Sequence, residues 1–281
     1  MKDSQKIFLA VKDYLVSAES FQLIYDADLD MLKTNPQPTD EDLPKYYESE
    51  NYISHTDEKR GLFSWLYQVV KKWSLRRKVN LINGLNNGSG SLLDVGAGTG
   101  EFLKEAKDEG WEVYGTEPNK NASKLASEKG ILLKSNLDDF VGKEFDVVTL
   151  WHVLEHISDL DETVLKLVNL VRPNGTLIIA APNFKSYDAK HYGNFWAAYD
   201  APRHLWHFSK KAIEKIFSEN FVLQETKPMV FDSYYVSLLS EKYKTGNSFS
   251  LKAIWIGFLS NLKAKTSKEY SSHIYCFKKR T

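Results

Sequence analysis

From residue 91 onward, short apolar runs rich in β-branched residues alternate with helical stretches, and this alternation limits the possible folds more than any other feature. The runs are SLLDV (91–95), WEVYGTE (111–117), ILLKS (131–135), FDVVTLW (145–151), GTLIIAAP (175–182), FVLQET (221–226) and SHIYCFKK (272–279). Helical patterns cover 99–109, 119–130, 159–171 and 209–220, and a further helical stretch runs to about Lys265. Strands joined through helices imply right-handed crossovers and a sheet covered on both faces. The expectation is an α/β, doubly wound, mostly parallel seven-stranded sheet, with a late hairpin closing one edge.

The flanks are read differently. Residues 1–60 are tyrosine-rich, acidic and broken by NPQPTDEDLP (35–44), which suggests an irregular lead-in or lid rather than a second core. In GLFSWLYQVVKKWSLRRKVNLING (61–84), Leu62, Trp65, Leu66, Val69, Val70 and Trp73 recur at three- and four-residue spacing, so an amphipathic helix adds to an N-terminal helical lid. Its KKWSLRRK segment reads as a solvated helix face rather than a nucleic-acid stripe. The domain then covers 61–281, with its core at 90–226 and a C-terminal helical insertion plus last strand at 227–281. In FSLKAIWIGFLSNLKAK (249–265), Leu251, Ile254, Trp255, Phe258, Leu259 and Leu262 share one helical face. That face either packs on its own domain, covers a substrate entrance, or rests on a membrane surface.

Lys plus Arg and Asp plus Glu both number 37, so the overall field draws neither nucleic acid nor an anionic membrane from a distance. At most peripheral membrane contact is expected. The single Cys276 leaves no internal disulfide and fits a reducing compartment; it reads as a buried small hydrophobe in the last strand. No signal-type apolar core opens the chain, and no apolar run reaches the roughly 20 residues of a bilayer span. A cytoplasmic location is expected.

The stretch LLDVGAGTGEFL (92–103) places Gly96, Gly98 and Gly100 directly after the first strand. Glycines there permit a tight turn and let a ligand approach the backbone, in the crevice where open parallel sheets bind ligands. A dinucleotide fingerprint needs its third glycine one position later, where Glu101 stands, and Asp94 would repel a phosphate while favouring a sulfonium or ammonium. Glu117 ends the second strand about 20 residues past Gly96, the position at which a carboxylate accepts ribose hydroxyls. The pattern points to a nucleoside with a cationic tail.

The ordered motifs LLDVGAGTG, VYGTEPN, FDVVTLWHVLEHI, LVRPNGTLIIAAPN and DAPRHLWHFS, spanning roughly 45–225, resemble class I S-adenosylmethionine-dependent methyltransferases. The resemblance implies a Rossmann-like methyltransferase fold and S-adenosyl-L-methionine as cofactor. It further implies that Asp94, Gly96, Ala97, Gly98, Thr99 and Gly100 surround the methionine end, that Glu117 takes the ribose, that Pro118, Asn136 and Leu137 flank the adenine, and that Leu150, Trp151 and His152 close the site. DAPRHLWHFS and YYESENYISH look like the branch acting on small molecules or glycan and lipid intermediates, similar to ubiquinone-pathway enzymes. Within the second motif Tyr47, Tyr52 and His55 are the candidate lid contacts. Some relatives of this kind begin with a cysteine-ligated zinc module, which this N-terminal region lacks.

Two stretches carry competing readings. HVLEH (152–156) spells H-x-x-E-H, as zinc peptidases do, but it follows a buried strand, so no metal is expected and Glu155 and His156 either brace the loop or touch a ligand. Methyl transfer needs alignment and a path for the acceptor's proton. His204 is the candidate base, His207 its neighbour and Arg203 an anchor for an acidic substrate group, with Tyr199 and Asp200 in reserve. The alternative makes both histidines structural and pairs Arg203 with Asp200. The function so read is methylation of a small-molecule, glycan or lipid-intermediate acceptor at oxygen; the alternatives are an NAD(P)- or nucleotide-sugar-dependent oxidoreductase and a non-catalytic cofactor-binding module.

Overall fold

The computed structural model describes residues 6–47, 62–247 and 249–281, with only the backbone for 62–71. Its main sheet has six strands: β4 (Ser91–Val95), β5 (Glu112–Thr116), β6 (Phe145–Trp151), β7 (Val171–Pro182), β9 (Phe221–Pro228) and β10 (Ser272–Lys279), in the order β5-β4-β6-β7-β10-β9. The first four are parallel, while β10 runs antiparallel to both β7 and β9. Helices α1 (Leu62–Asn86), α2 (Glu101–Asp108), α3 (Lys120–Glu128), α4 (Leu160–Leu170) and α6 (Lys210–Phe217) accompany these strands. Starts are set locally: the side chains of Asn119, Asp159 and Ser209 cap α3, α4 and α6. One apolar layer, including Val79, Ile82, Leu92, Phe102, Ile178 and Cys276, fills the face under α1 to α3; a second, including Leu93, Val148, Leu167, Ile179 and Phe217, fills the other. Cys276 is the buried small hydrophobe expected of it.

Two expectations are corrected. The sheet is mixed, with β10 alone reversed, and has six strands rather than seven, because ILLKS forms only a bridge, Thr116 to Lys134, flanked by Glu117 N–H on the Lys134 carbonyl at 2.8 Å and Lys134 N–H on the Gly115 carbonyl at 3.0 Å. Beyond it the chain turns at once, as the Asn136 side chain accepts from Asp138 N–H at 2.8 Å and caps a short 3-10 turn. Residues 6–35 are not an irregular lead-in or a helical lid. They form three antiparallel strands, β1 (Lys6–Lys12), β2 (Ser20–Asp26) and β3 (Met31–Asn35), continued by β8 (Trp206–His207). Period-two burial in SFQLIYD and MLKTN is the signal that the proline cluster masked, since those prolines follow the strands instead of interrupting them. The small sheet has a core of its own, in which Val11, Phe21, Leu23 and Leu32 meet Phe184, Tyr192 and Trp196 and the insertion helices α7 (Asp232–Thr245) and α8 (Leu251–Ser267). Helix α5 (Tyr187–Tyr192) belongs to the same layer.

A buried arginine joins the small sheet to the rest. Arg203 donates from Nε and Nη2 to Asp200, from Nη2 to Asp13 Oδ1 at 2.9 Å and from Nη1 to the Tyr46 carbonyl at 2.9 Å. Burial alone would raise both carboxyls, but the guanidinium outweighs it and holds Asp13 and Asp200 below the usual aspartate value. Groups depressed on folding contribute stability above their unfolded value near 3.9, and lose it as pH falls through the lower folded values. Urea titration is therefore expected to show Arg203→Ala destabilised by about 3–5 kcal/mol, since two buried carboxylates lose their partner. The variant should also lose part of the wild type's acid sensitivity below about pH 4.

Candidate functional site

At the carboxyl ends of β4, β5 and β6 the glycine turn bends back toward the sheet. Gly96, Gly98 and Gly100 have φ of +67°, +55° and +72°, a region that suits glycine. A Cβ on Gly96 would lie 2.6 Å from Val153 Cγ2, and one on Gly100 would lie 2.9 Å from Ala126 Cβ. These two glycines let the turn pack. A Cβ on Gly98 would meet no protein atom within 4 Å, so there the backbone opens to the cleft. Glu117 spans the turn: Oε2 accepts the Gly98 N–H at 2.8 Å and Oε1 the Asn119 N–H at 2.9 Å. A carboxylate has further lone pairs, so Glu117 can still accept two hydroxyls. Ala97 N–H donates to the Thr116 carbonyl, and the Thr99 carbonyl accepts from Lys129.

Beneath the turn, Asp94 is buried and accepts the Thr149 hydroxyl at 2.6 Å. Burial lifts its carboxyl to about 7, with Glu117 adding and Thr149 and Lys78 opposing. Trp151 packs edge-on against Phe102, and its buried Nε1 has no hydrogen-bond partner among the described residues. Lys78 reaches the same place from α1, its Nζ 4.2 Å from the Trp151 ring centroid. Burial draws that ammonium down to about 8 against the pull of Asp94 and Asp232. Of the other expected cofactor neighbours, Pro118 and Asn136 are exposed at the rim and Leu137 is partly buried. Leu150 is fully buried in the sheet core, which corrects its expected place at the wall.

His152 has φ +58° and bridges two carboxylates, with Nδ1 3.3 Å from Glu155 Oε1 and Nε2 3.2 Å from Asp232 Oδ2. Burial opposes the charge, but the two acids outweigh it and raise the imidazole to about 10; burial likewise opposes ionisation of Glu155, which the His152 contact holds down at about 2. The two histidines of HVLEH therefore do not share a site. His156 turns instead to His204, ring centroids 4.5 Å apart, and its Nδ1 lies 3.1 Å from both the Arg203 carbonyl and the Tyr47 hydroxyl. Burial and His204 press it to about 4. Atoms of Glu155, His156 and His204 lie within 4.8 Å of one another, a two-histidine, one-carboxylate donor set of a type that can hold a divalent cation.

PRHLWHF divides into separate tasks. His204 Nδ1 donates to the Ala198 carbonyl at 2.9 Å, which leaves the Nε2 lone pair available. Two expectations for the stretch are corrected. Arg203 is sealed in its clamp with Asp13, Asp200 and Tyr46, so it does not anchor substrate, and Asp200 is committed with it. His207 is buried against Thr34: that hydroxyl donates to the His204 carbonyl at 2.6 Å and so must accept from His207 Nε2, 3.0 Å away. Burial, then His204, holds His207 well below its ordinary value. Tyr199 is buried, edge-on to His207. Tyr52 and His55 lie outside the described residues.

Sequence reasoning missed Lys78 and Asp232. Lys78 was absorbed into an apparent solvated face, and Asp232 stands in no motif, reaching His152 only because β9 ends at the same edge as β4 to β6. Beside them a cavity of about 820 Å³ opens between α1 and the β9–α7 corner, lined by Trp73, Arg77, Lys78, Met229, Phe231 and Asp232 among others.

A family model described as a methyltransferase domain matches residues 67–221, over half of the chain. A ubiquinone biosynthesis O-methyltransferase of Rickettsia felis is 27% identical over 157 residues, 50% of this chain and 64% of that protein. One of Mesorhizobium japonicum is 32% identical over 101 residues, 33% of this chain and 41% of that protein. The chain thus spans less than two thirds of the length of these curated relatives. Among solved structures, a magnesium protoporphyrin IX methyltransferase from Synechocystis PCC 6803 with bound SAH superposes with a TM-score of 0.55 at 15% identity, covering 84% of this chain and 97% of that one. The [4+2]-cyclase SpnF superposes with a TM-score of 0.52 at 16% identity, covering 73% and 80%. The fold is thus the Rossmann-like methyltransferase fold, which also carries a cyclase, so the chemistry resides in the site and not in the fold.

The His152 bridge yields a direct test. A group raised on folding contributes stability fully below its unfolded value near 6.5, and loses it as pH rises through its folded value, here about 10. NMR titration should find His152 charged throughout the neutral range, and Asp232→Asn should move its midpoint down. A wild-type midpoint near 6.5 would contradict the bridge.

Proposed function

The chain belongs to the methyltransferase-domain family, and from that premise we propose that it transfers a methyl group from S-adenosylmethionine to an oxygen of a small-molecule acceptor. The observation that carries this reading is the pairing of Gly98, open to the cleft, with the Glu117 carboxylate on its amide. The residues fit the cofactor in other ways too. Asp94 places a carboxyl under the turn whose ionised form a sulfonium would favour, and Trp151 carries an N–H with no partner among the described residues. S-adenosylmethionine brings an activated methyl group, so this chain's residues need only align the acceptor and take its proton.

His204 is the group for that proton. Its Nδ1–H is fixed on Ala198, Nε2 can receive, and the ionised Glu155 stabilises the charge that results. Tyr47, beside His156, supports a lid contact from the N-terminal arm. The cavity beside Lys78 and Asp232 has the size of a small-molecule site, though His204 is not among its lining residues, and its presence favours an enzyme over a binding module. The early third glycine argues against an NAD(P)- or nucleotide-sugar-dependent oxidoreductase. The named relatives, O-methyltransferases of ubiquinone biosynthesis, favour oxygen as the methylated atom and a small-molecule or lipid-intermediate acceptor. The buried lone cysteine is compatible with cytoplasmic work.

Calorimetry should detect binding of S-adenosylmethionine or its demethylated product and no comparable response to NAD. Gly98→Val should abolish the binding, because a β-branched residue is strained at φ +55° and projects into the cleft. Tight NAD binding with none of the sulfonium compound would overturn the reading. His204→Ala should reduce turnover by about 10²–10⁴ with cofactor affinity near normal. Full activity in that variant would remove His204 from the reaction.

A further inference from the structure

Helix α8 faces the opposite way from a helix packed by its large apolar residues. Leu251 is 74% exposed, Trp255 57%, Leu262 47%, Phe258 44% and Ile254 38%. Its buried face consists of Ala253, Ile256, Gly257, Ser260 and Ala264, set against Ser233, Val236, Ser237 and Ser240 of α7. Small residues bring the two helices close: a Cβ on Gly257 would lie 2.9 Å from Tyr234 Cα, and Ser233 Oγ donates to the Gly257 carbonyl at 3.1 Å. The hairpin is therefore held from its inner side, leaving on the outer side a stripe that includes a stacked Trp255–Phe258 pair with ring centroids 5.5 Å apart. A contiguous apolar stripe of this kind on a folded domain marks an interaction surface.

The charges around the stripe identify its partner. Between residues 242 and 268 there are six lysines and neither aspartate nor glutamate, in a chain whose charges balance only when summed over its whole length. Of these, Lys252 pairs with Glu241 and Lys263 lies over the Tyr187 ring, so both are anchored beside the stripe. A second copy docking through this face would set lysine against lysine. No described helix is long and apolar enough to cross a membrane, so α8 can lie on a bilayer but not span it. We propose that the α7–α8 hairpin is an interfacial anchor, with the α8 stripe seated at the headgroup boundary of an anionic lipid surface and the lysines on its phosphates. Because α7 starts at Asp232, the partner of His152, the anchor holds the cleft within about 20 Å of the lipid, roughly the length of a 14-residue helix. This proposal stands whether or not the cleft transfers methyl groups.

Vesicle flotation with the full chain tests it. Vesicles of phosphatidylcholine with about one third phosphatidylglycerol should carry the protein, pure phosphatidylcholine vesicles should not, and salt should weaken the binding. Trp255→Asp combined with Phe258→Asp should cut the bound fraction at least about tenfold. Both side chains are largely exposed, so circular dichroism and the thermal midpoint should stay near wild type. Absence of binding to the anionic vesicles, equal binding to both lipids, or unchanged binding by a folded variant would each overturn the proposal. A wild-type dimer by light scattering that the double variant dissolves, without vesicle binding, would assign the stripe to a second copy instead.

Discussion

A guanidinium placed out of water must satisfy its donors within the protein, and Arg203 does so on three segments that are far apart in sequence. Asp13 comes from the turn after β1, Tyr46 from the end of the N-terminal arm, and Asp200 from the loop that also delivers His204. Once that triangle closes, neighbouring contacts follow from it. Leu205 N–H reaches the Glu155 carbonyl, Thr34 takes the His204 carbonyl, and Tyr47 meets His156. The small sheet is thus a wall that fixes the loop carrying the candidate base. This assigns a positional role to residues that look catalytic in one dimension, since Arg203, Asp200 and His207 are all used up in holding the loop.

The cleft itself is a set of opposed charges, with Asp94 and Glu155 buried and Lys78, His152 and Asp232 partly so. Asp94 and Lys78 each favour the other's charged form, with Lys78 over the Trp151 ring, while His152 lies between Glu155 and Asp232. Each buried charge is costly alone and tolerable in its pair, so the arrangement specifies geometry more than it adds stability. It also explains why Asp94 and Lys78 move toward neutrality in opposite directions: burial disfavours each ionised form, and the partner offsets only part of that. A cationic ligand arriving beside Asp94 would add to the positive side of this balance, and Lys78, drawn down to about 8, is the group best able to release a proton in response.

The parallel half of the sheet was legible because its strands are buried on both faces and read as continuous apolar runs. The glycine turn was legible because positive φ and close packing call for glycine at fixed spacing, and Glu117 because it ends the neighbouring strand. What was hidden depends on long-range pairing. ILLKS has strand composition, yet Asn136 turns the chain after one bridge. The three N-terminal strands alternate over only five to seven residues each, short enough to be overshadowed by the proline-rich segment behind them. Asp232 and Lys78 have no local signature at all, because their partners are supplied by the sheet order.

Helix α8 shows a different kind of ambiguity. Periodicity locates an apolar face but carries no sign: it does not say whether the face points to a core or to a surface. Residue size supplies the sign. Where two helices approach as closely as α7 and α8, the contact side must be made of glycine, alanine and serine, as it is at Ala253, Gly257, Ser260 and Ala264. Apart from Ile256 and Leu259, which pack into the neighbouring core, the large side chains are then left on the outer side, where water is a poor neighbour and a lipid boundary a better one. A net charge of zero concealed the same asymmetry, since the balance over the whole chain says nothing about a 27-residue stretch in which every charge is positive.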